Sequence, residues 1–145
     1  MAYKRKTWHE KMKPGFEPKV EKTLKKFADI PEGASMLIAT PQIVDAYVRN
    51  ISPGTHTDIK QMRKDLATEY HAEYCCPVTS GIFVRIVAEA AYENYLAGVP
   101  VEEITPFWRI IDANSPVAQK LTFGTDLLLK MQELEGIKTN LVKKK

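Results

Sequence analysis

Residues 79–111 read TSGIFVRIVAEAAYENYLAGVPVEEITPFWRII, and this stretch decides the fold class. Its first half carries apolar residues at helical spacing, with Ile82, Phe83, Ile86, Val87 and Ala90 forming one stripe. Arg85, Glu89, Tyr92 and Glu93 fall on the opposite side. Thr79 or Ser80 is the expected N-cap, and Gly98 and Pro100 supply a stop just after Leu96. The character then changes. Phe107-Trp108-Arg109-Ile110-Ile111 is β-branched and aromatic, which predicts an extended segment.

Upstream, Asp58 with Gln61 three residues later fits a capping box for a helix whose buried side holds Ile59, Met62 and Leu66. Lys60, Arg63 and Lys64 are expected to face water. Residues 71–78 then connect it to the long helix. Thr40-Pro41 places a cap before a proline at the first helical position, with Ile43, Val44, Tyr47 and Val48 on one face. Ser35–Ala39 is short and apolar, a predicted strand. Val20, Leu24 and Phe27 recur at helical spacing, so 19–28 is predicted helical. Residues 1–17 lack periodicity and are expected to form a flexible basic arm, with Trp8 and Phe16 to tack it onto the body. Downstream, 112–116 is a predicted loop. Thr125 or Asp126 caps a last helix with Leu127, Leu128, Met131 and Leu134 inward and Gly136 as its stop.

The expected class is mostly α with a few short strands (α+β), in a winged helix-turn-helix-like order. The expected division is a basic arm over 1–17, a small N-terminal part over 18–50 (helix, strand, helix), a main domain over 51–137 and a lysine-rich tail over 138–145. The 145 residues suffice for one ordinary domain with its own core. The two cysteines, Cys75 and Cys76, are adjacent, which excludes a disulfide framework and a four-cysteine zinc site. No metal or other cofactor is expected. No apolar run approaches the ~20 residues of a membrane span. No apolar segment of the signal-peptide kind follows the basic N-terminus, so a cytoplasmic location is expected and no membrane partner. Charge is uneven: net +6 over 1–26, +4 over 138–145, and therefore −7 over 27–137 for a total of +3. Basic ends on an acidic body suit nucleic-acid contact by the ends, or simply solvated lysines.

Four local matches, in order, give a resemblance over 51–137. They are Ser52-Pro53-Gly54 followed by Ile59-Lys60-Gln61-Met62; Arg85-Ile86-Val87-Ala88 with Asn94 nine residues after the arginine; Pro106–Ile111; and Leu134-Glu135-Gly136. Together they resemble the C-terminal domain of the methylated-DNA–protein-cysteine methyltransferase family and its alkyltransferase-like relatives. The resemblance implies a winged helix that binds DNA. It puts the family's acceptor cysteine on Phe107, its base histidine on Trp108, the glutamate that orients that base on Glu135, and the nucleotide-rotating tyrosine on Ile59. Alkyl transfer needs a thiolate and a base to make it. Phe107 offers no nucleophile, and the Trp108 indole only donates.

The resemblance therefore implies a non-catalytic alkyltransferase-like protein that binds DNA, recognises alkylated bases and flags them to a repair-protein partner. The DNA-binding residue it implies is Arg85; Lys60, Arg63 and Lys64 on the outer face of the preceding helix are candidate phosphate contacts, or an ordinary solvated face. The pocket residues are Phe107, Trp108, Arg109, Asn94, Ile59 and Glu135. Arg85 has two readings, as the side chain that fills the gap left by a flipped base or as a surface partner of Glu89. Phe107 and Trp108 have two as well, a base-stacking pocket or hydrophobic core. Two further functions stay open: an interaction module on a degenerate frame without DNA binding, and an enzyme using Cys75 or Cys76, with His71 as base.

Overall fold

In the computed structural model, residues 7–13, 15 and 17–137 are described. Among them, nine α-helices and strands follow in order: α1 (Trp8–Lys11), β1 (Lys19–Lys22), β2 (Ser35–Ile38), α2 (Pro41–Arg49), α3 (Ile59–Glu69), β3 (Tyr74–Cys75), α4 (Pro77–Leu96), α5 (Pro116–Lys120) and α6 (Asp126–Leu134), with 3-10 turns at Val101–Glu103 and Phe107–Arg109 between α4 and α5. The class is α+β, mostly helical, as expected. The strands form one sheet in the order β1-β2-β3. β1 runs antiparallel to β2, with Lys19 opposite Ile38, and β3 runs parallel to it, with Leu37 opposite Cys75.

Capping chemistry sets several boundaries. The Thr40 hydroxyl accepts from the Ile43 amide ahead of Pro41, and the Asp58 carboxylate accepts from the Gln61 amide. The Gln61 side chain bonds Asp65 instead of returning to the cap, so the box is half closed. α4 begins earlier than expected. Cys76, not Thr79 or Ser80, is its N-cap, Pro77 opens it, and Ser80 donates to the Cys76 carbonyl. The 71–78 connection thus contains β3 and the first residues of α4.

One core joins the whole. Leu37 of β2, Val44 and Val48 of α2, Met62 and Leu66 of α3, Val84 and Val87 of α4, and Phe107, Ile110, Ile111 and Leu128 belong to a single buried cluster. The 18–50 and 51–137 segments therefore share their interior. α4 is buried over most of its circumference, as Phe83, Val84, Val87, Ala88, Ala90 and Ala91 show.

Further expectations are overturned. Residues 19–28 are not a helix: the chain runs through β1, then turns back through a Phe27–Ile30 bridge. Val20, Leu24 and Phe27 all stay exposed, and Thr23, Ile30 and Ala34 are buried instead. A lone short helix is marginal in water, whereas pairing with β2 satisfies the backbone. The N-terminal part is consequently strand, strand, helix. Phe107–Arg109 is a 3-10 turn rather than a strand, because Phe107, Trp108, Ile110 and Ile111 are all buried and packing overrides β propensity. On α4 the pattern is reversed at two positions: Ile82 is 50% exposed and Glu89 is 2% exposed. On α6, Leu134 faces water and Gln132 is buried, donating to the carbonyls of Trp108 and Ile111.

The expected flexible arm is ordered over Trp8–Lys11. A Thr7–Glu10 capping box starts α1, which packs on α4. Phe16 and the 138–145 tail lie outside the described residues. No helix among the described residues is long and apolar enough to cross a membrane.

Candidate functional site

Three of the four matched segments meet at one place. Arg109 holds Glu135 through two hydrogen bonds, Nε to Oε1 at 3.0 Å and Nη2 to Oε2 at 2.7 Å. Its Nη1 donates to the Ile51 carbonyl at 2.8 Å, and the Gly54 amide donates to Glu135 at 3.1 Å. The Arg109 carbonyl accepts from the Thr57 amide. Gly54 has φ +81°, and a Cβ there would meet the Glu135 carbonyl oxygen at 3.4 Å, so both conformation and space favour glycine. Burial raises the Glu135 carboxyl, but the Arg109 guanidinium and the Gly54 amide outweigh it, and the pKa falls to about 2. The Trp108 indole N–H acts in the same direction, yet completes no hydrogen bond of normal geometry and is a buried orphan donor.

Phe107 and Trp108 belong to the core, at 0% and 2% exposure. Phe107 meets the edges of Trp108 and Phe123, at 5.3 and 5.6 Å between ring centres. The matched acceptor position is thus filled by a buried aromatic ring, not open to a ligand. Ile59 is half-buried against the same core.

A second cluster lies on the outward side of α4. Arg85 is one-third exposed, with Nε 3.8 Å from a Glu89 oxygen. Glu89 is spoken for: its carboxylate accepts from the Thr122 amide at 2.7 Å and hydroxyl at 2.6 Å, tying α4 to the chain after α5. The Arg85 guanidinium also lies 5.2 Å from the centre of the Trp8 ring, and Lys11 Nζ lies 4.2 Å from that ring. Glu93 anchors α1 there, accepting from the Trp8 and His9 amides and bonding the His9 ring. Asn94 meets the other ring nitrogen of His9 at 2.8 Å. Asn94 therefore joins two segments, α1 and α4.

Of this cluster, Trp8, Lys11 and Arg85 border a groove of about 660 Å³ between α1, α4 and α5. Val78, Ile82, Ile86, Pro116 and Val117 give it an apolar lining, and Trp8 closes one side. Lys11, Arg85 and Lys120 are its charged members, all cations, and no carboxylate lines it among the described residues.

Lys60, Arg63 and Lys64 line a different, smaller hollow with Asp29 and Glu73. Lys60 and Lys64 are exposed. Arg63 does not face water: its side chain is 14% exposed, donates to the Cys75 carbonyl at 2.9 Å and pairs with Asp29. It fastens α3 to β3.

Cys75 and Cys76 are buried, and burial pushes the Cys75 thiol up, away from the reactive thiolate. Among the described residues no hydrogen bond joins His71 to either thiol, and no group of three or more His, Cys, Asp or Glu stands where it could hold a metal ion.

Sequence reasoning passed over α1, α5 and the buried role of Glu89. The first two carry readable signals: Thr7 with Glu10 is a capping box, and Ser115-Pro116 places a cap before a first-turn proline. Glu89 carries none, because its partner Thr122 is brought in by the tertiary fold. No protein-family model matches the chain, and no curated protein or solved structure matches it significantly.

Proposed function

We propose that this chain is a non-catalytic DNA-binding module on an alkyltransferase-like winged helix frame, with α3 and α4 as its helix pair. The cationic groove on the outward side of α4 carries the reading: Lys11, Arg85 and Lys120 surround it without a carboxylate, on a body of net −7. The meeting of Gly54, Arg109 and Glu135 supports the frame, because separate matched segments converge there. Glu135 is held by Arg109 and orients no base, and Phe107 supplies no nucleophile.

Mobility shift on plain and O-alkylguanine duplex tests the reading, with intact-mass spectrometry of the protein alongside. Binding with unchanged mass is expected, with little preference between the duplexes, because Phe107 fills the acceptor position. Arg85→Ala should weaken both. A strong preference for the alkylated duplex assigns the lesion-flagging role that the resemblance implies. A methyl adduct on Cys75 or Cys76 would make the chain an enzyme. No binding to either duplex leaves the interaction module, a reading that the sealed Phe107 position already favours over base capture.

A further inference from the structure

We infer that the groove between α1, α4 and α5 takes an unpaired nucleotide of single-stranded DNA, its base stacked on Trp8 and its phosphates held by Lys11, Arg85 and Lys120. The inference rests on the DNA-binding reading and names the form of DNA that this site prefers.

The composition of the groove selects the ligand. Among the described residues, the charged ones lining it, Lys11, Arg85 and Lys120, are all cations and outnumber the one carboxylate near them, Glu89 at 3.8 Å from Arg85, which calls for an anion. The rest of its lining is largely apolar and includes Ile82, half exposed, and Ile86. A duplex backbone satisfies the rim and gains nothing from the floor, because its bases are stacked inside. An unpaired nucleotide uses both, since every base has an apolar face and carries its phosphate a short distance away. The volume of about 660 Å³ falls within the ~300–1,000 Å³ of small-ligand clefts, room for one or two nucleotides. Trp8 is already a platform for flat or cationic groups, with Lys11 and Arg85 at 4.2 and 5.2 Å from its ring. A base arriving on the indole displaces a cation from the ring toward the phosphate. Charge also decides against the lysine-rich tail of this chain as the occupant, because that segment carries +4.

The chain contains two tryptophans, and Trp108 is buried, so quenching of the exposed fluorescence reports Trp8. The full chain is titrated with a short oligodeoxythymidylate, with an abasic oligomer of equal length, and with a blunt duplex. The thymidylate should quench Trp8 and bind about tenfold or more tighter than the abasic oligomer, the scale of one stacked base. Trp8→Ala and Ile82→Glu should each remove that advantage. Ile82→Glu is the safer variant, because its side chain is half exposed and outside the core; unchanged circular dichroism checks its fold. Duplex binding with equal affinity for thymidylate and abasic oligomer overturns the inference and leaves the DNA-binding reading standing. A base-dependent affinity untouched by Ile82→Glu also overturns it, by placing the site elsewhere. Tighter quenching by a glutamate-rich amphipathic peptide than by any oligomer overturns it in favour of a protein partner. Absence of binding to all three nucleic acids removes the underlying reading as well.

Discussion

At the scale of single residues, Arg109 carries more of the architecture than its place in a matched motif suggests. It ties Ile51, Glu135 and, through its own carbonyl, Thr57, with both charges of the pair 13% exposed. Breaking a largely buried pair strands the surviving charge, so Arg109→Ala should destabilise by about 3 kcal/mol in urea unfolding. The pH dependence has a definite sign. The Glu135 pKa is lowered from 4.5 to about 2, so its contribution is complete above pH 4.5 and is lost as pH falls toward 2. Glu135→Gln should be less stable than the wild type at pH 7, and the gap should narrow across that window. A constant gap from pH 7 to pH 2 would mean that shape, not charge, holds the site. Phe107→Ala gives a separate reading of the acceptor position. In a core it costs about 3–5 kcal/mol, whereas a residue lining an open pocket would cost far less. Fluorescence-monitored unfolding separates the two.

At the scale of elements, α1 is the piece whose placement is easiest to undo. Four residues cannot hold a helix alone, and none of its residues is fully buried. Glu93 holds it through the Trp8 and His9 amides and the His9 ring. Glu93→Ala should therefore release α1, speed tryptic cleavage after Lys11, and leave the unfolding midpoint nearly unchanged. It should also remove Trp8 from the groove. Unaltered cleavage would mean that α1 is held by packing on α4 instead. The elements also show where the sequence was readable. α2, α3, α6 and the extent of α4 to Leu96 carry caps, stops and an apolar stripe, and each stands close to its expected place. Residues 19–28 and 107–111 depart from expectation because three apolar residues at helical spacing, or five β-formers in a row, do not say whether a core face awaits them. The site was legible in part. Arg109 and Glu135 are joined, while Arg63 serves the fold and Lys60 and Lys64 stand apart from the groove. Trp8 was legible as a residue that tacks the N-terminal arm onto the body, but neither its place beside Arg85 nor that of Lys120 was, because only the folding of α1 and α5 onto α4 brings them there.

At the scale of the whole molecule, charge distribution sets the affinity for any polyanion. The body over 27–137 is net −7, so approach of DNA to it is opposed except where cations gather. The groove gathers three. Seven more cations, Lys4, Arg5, Lys6, Lys138, Lys143, Lys144 and Lys145, lie outside the described residues. Their share is measurable without changing any described residue. Replacing all seven with Gln should lower duplex affinity and flatten the slope of log affinity against log salt, by about 0.9 for each phosphate no longer neutralised. The groove's own contribution should survive that change, because stacking on Trp8 and contact with Ile82 are not counterion release. In the neutralised chain the ratio of thymidylate to abasic affinity should therefore stay as it was, while both absolute affinities fall. If the ratio collapses together with the slope, the basic ends rather than the groove select unpaired bases. If neither slope nor affinity moves, the ends make no phosphate contact and Lys11, Arg85 and Lys120 carry the electrostatic attraction alone.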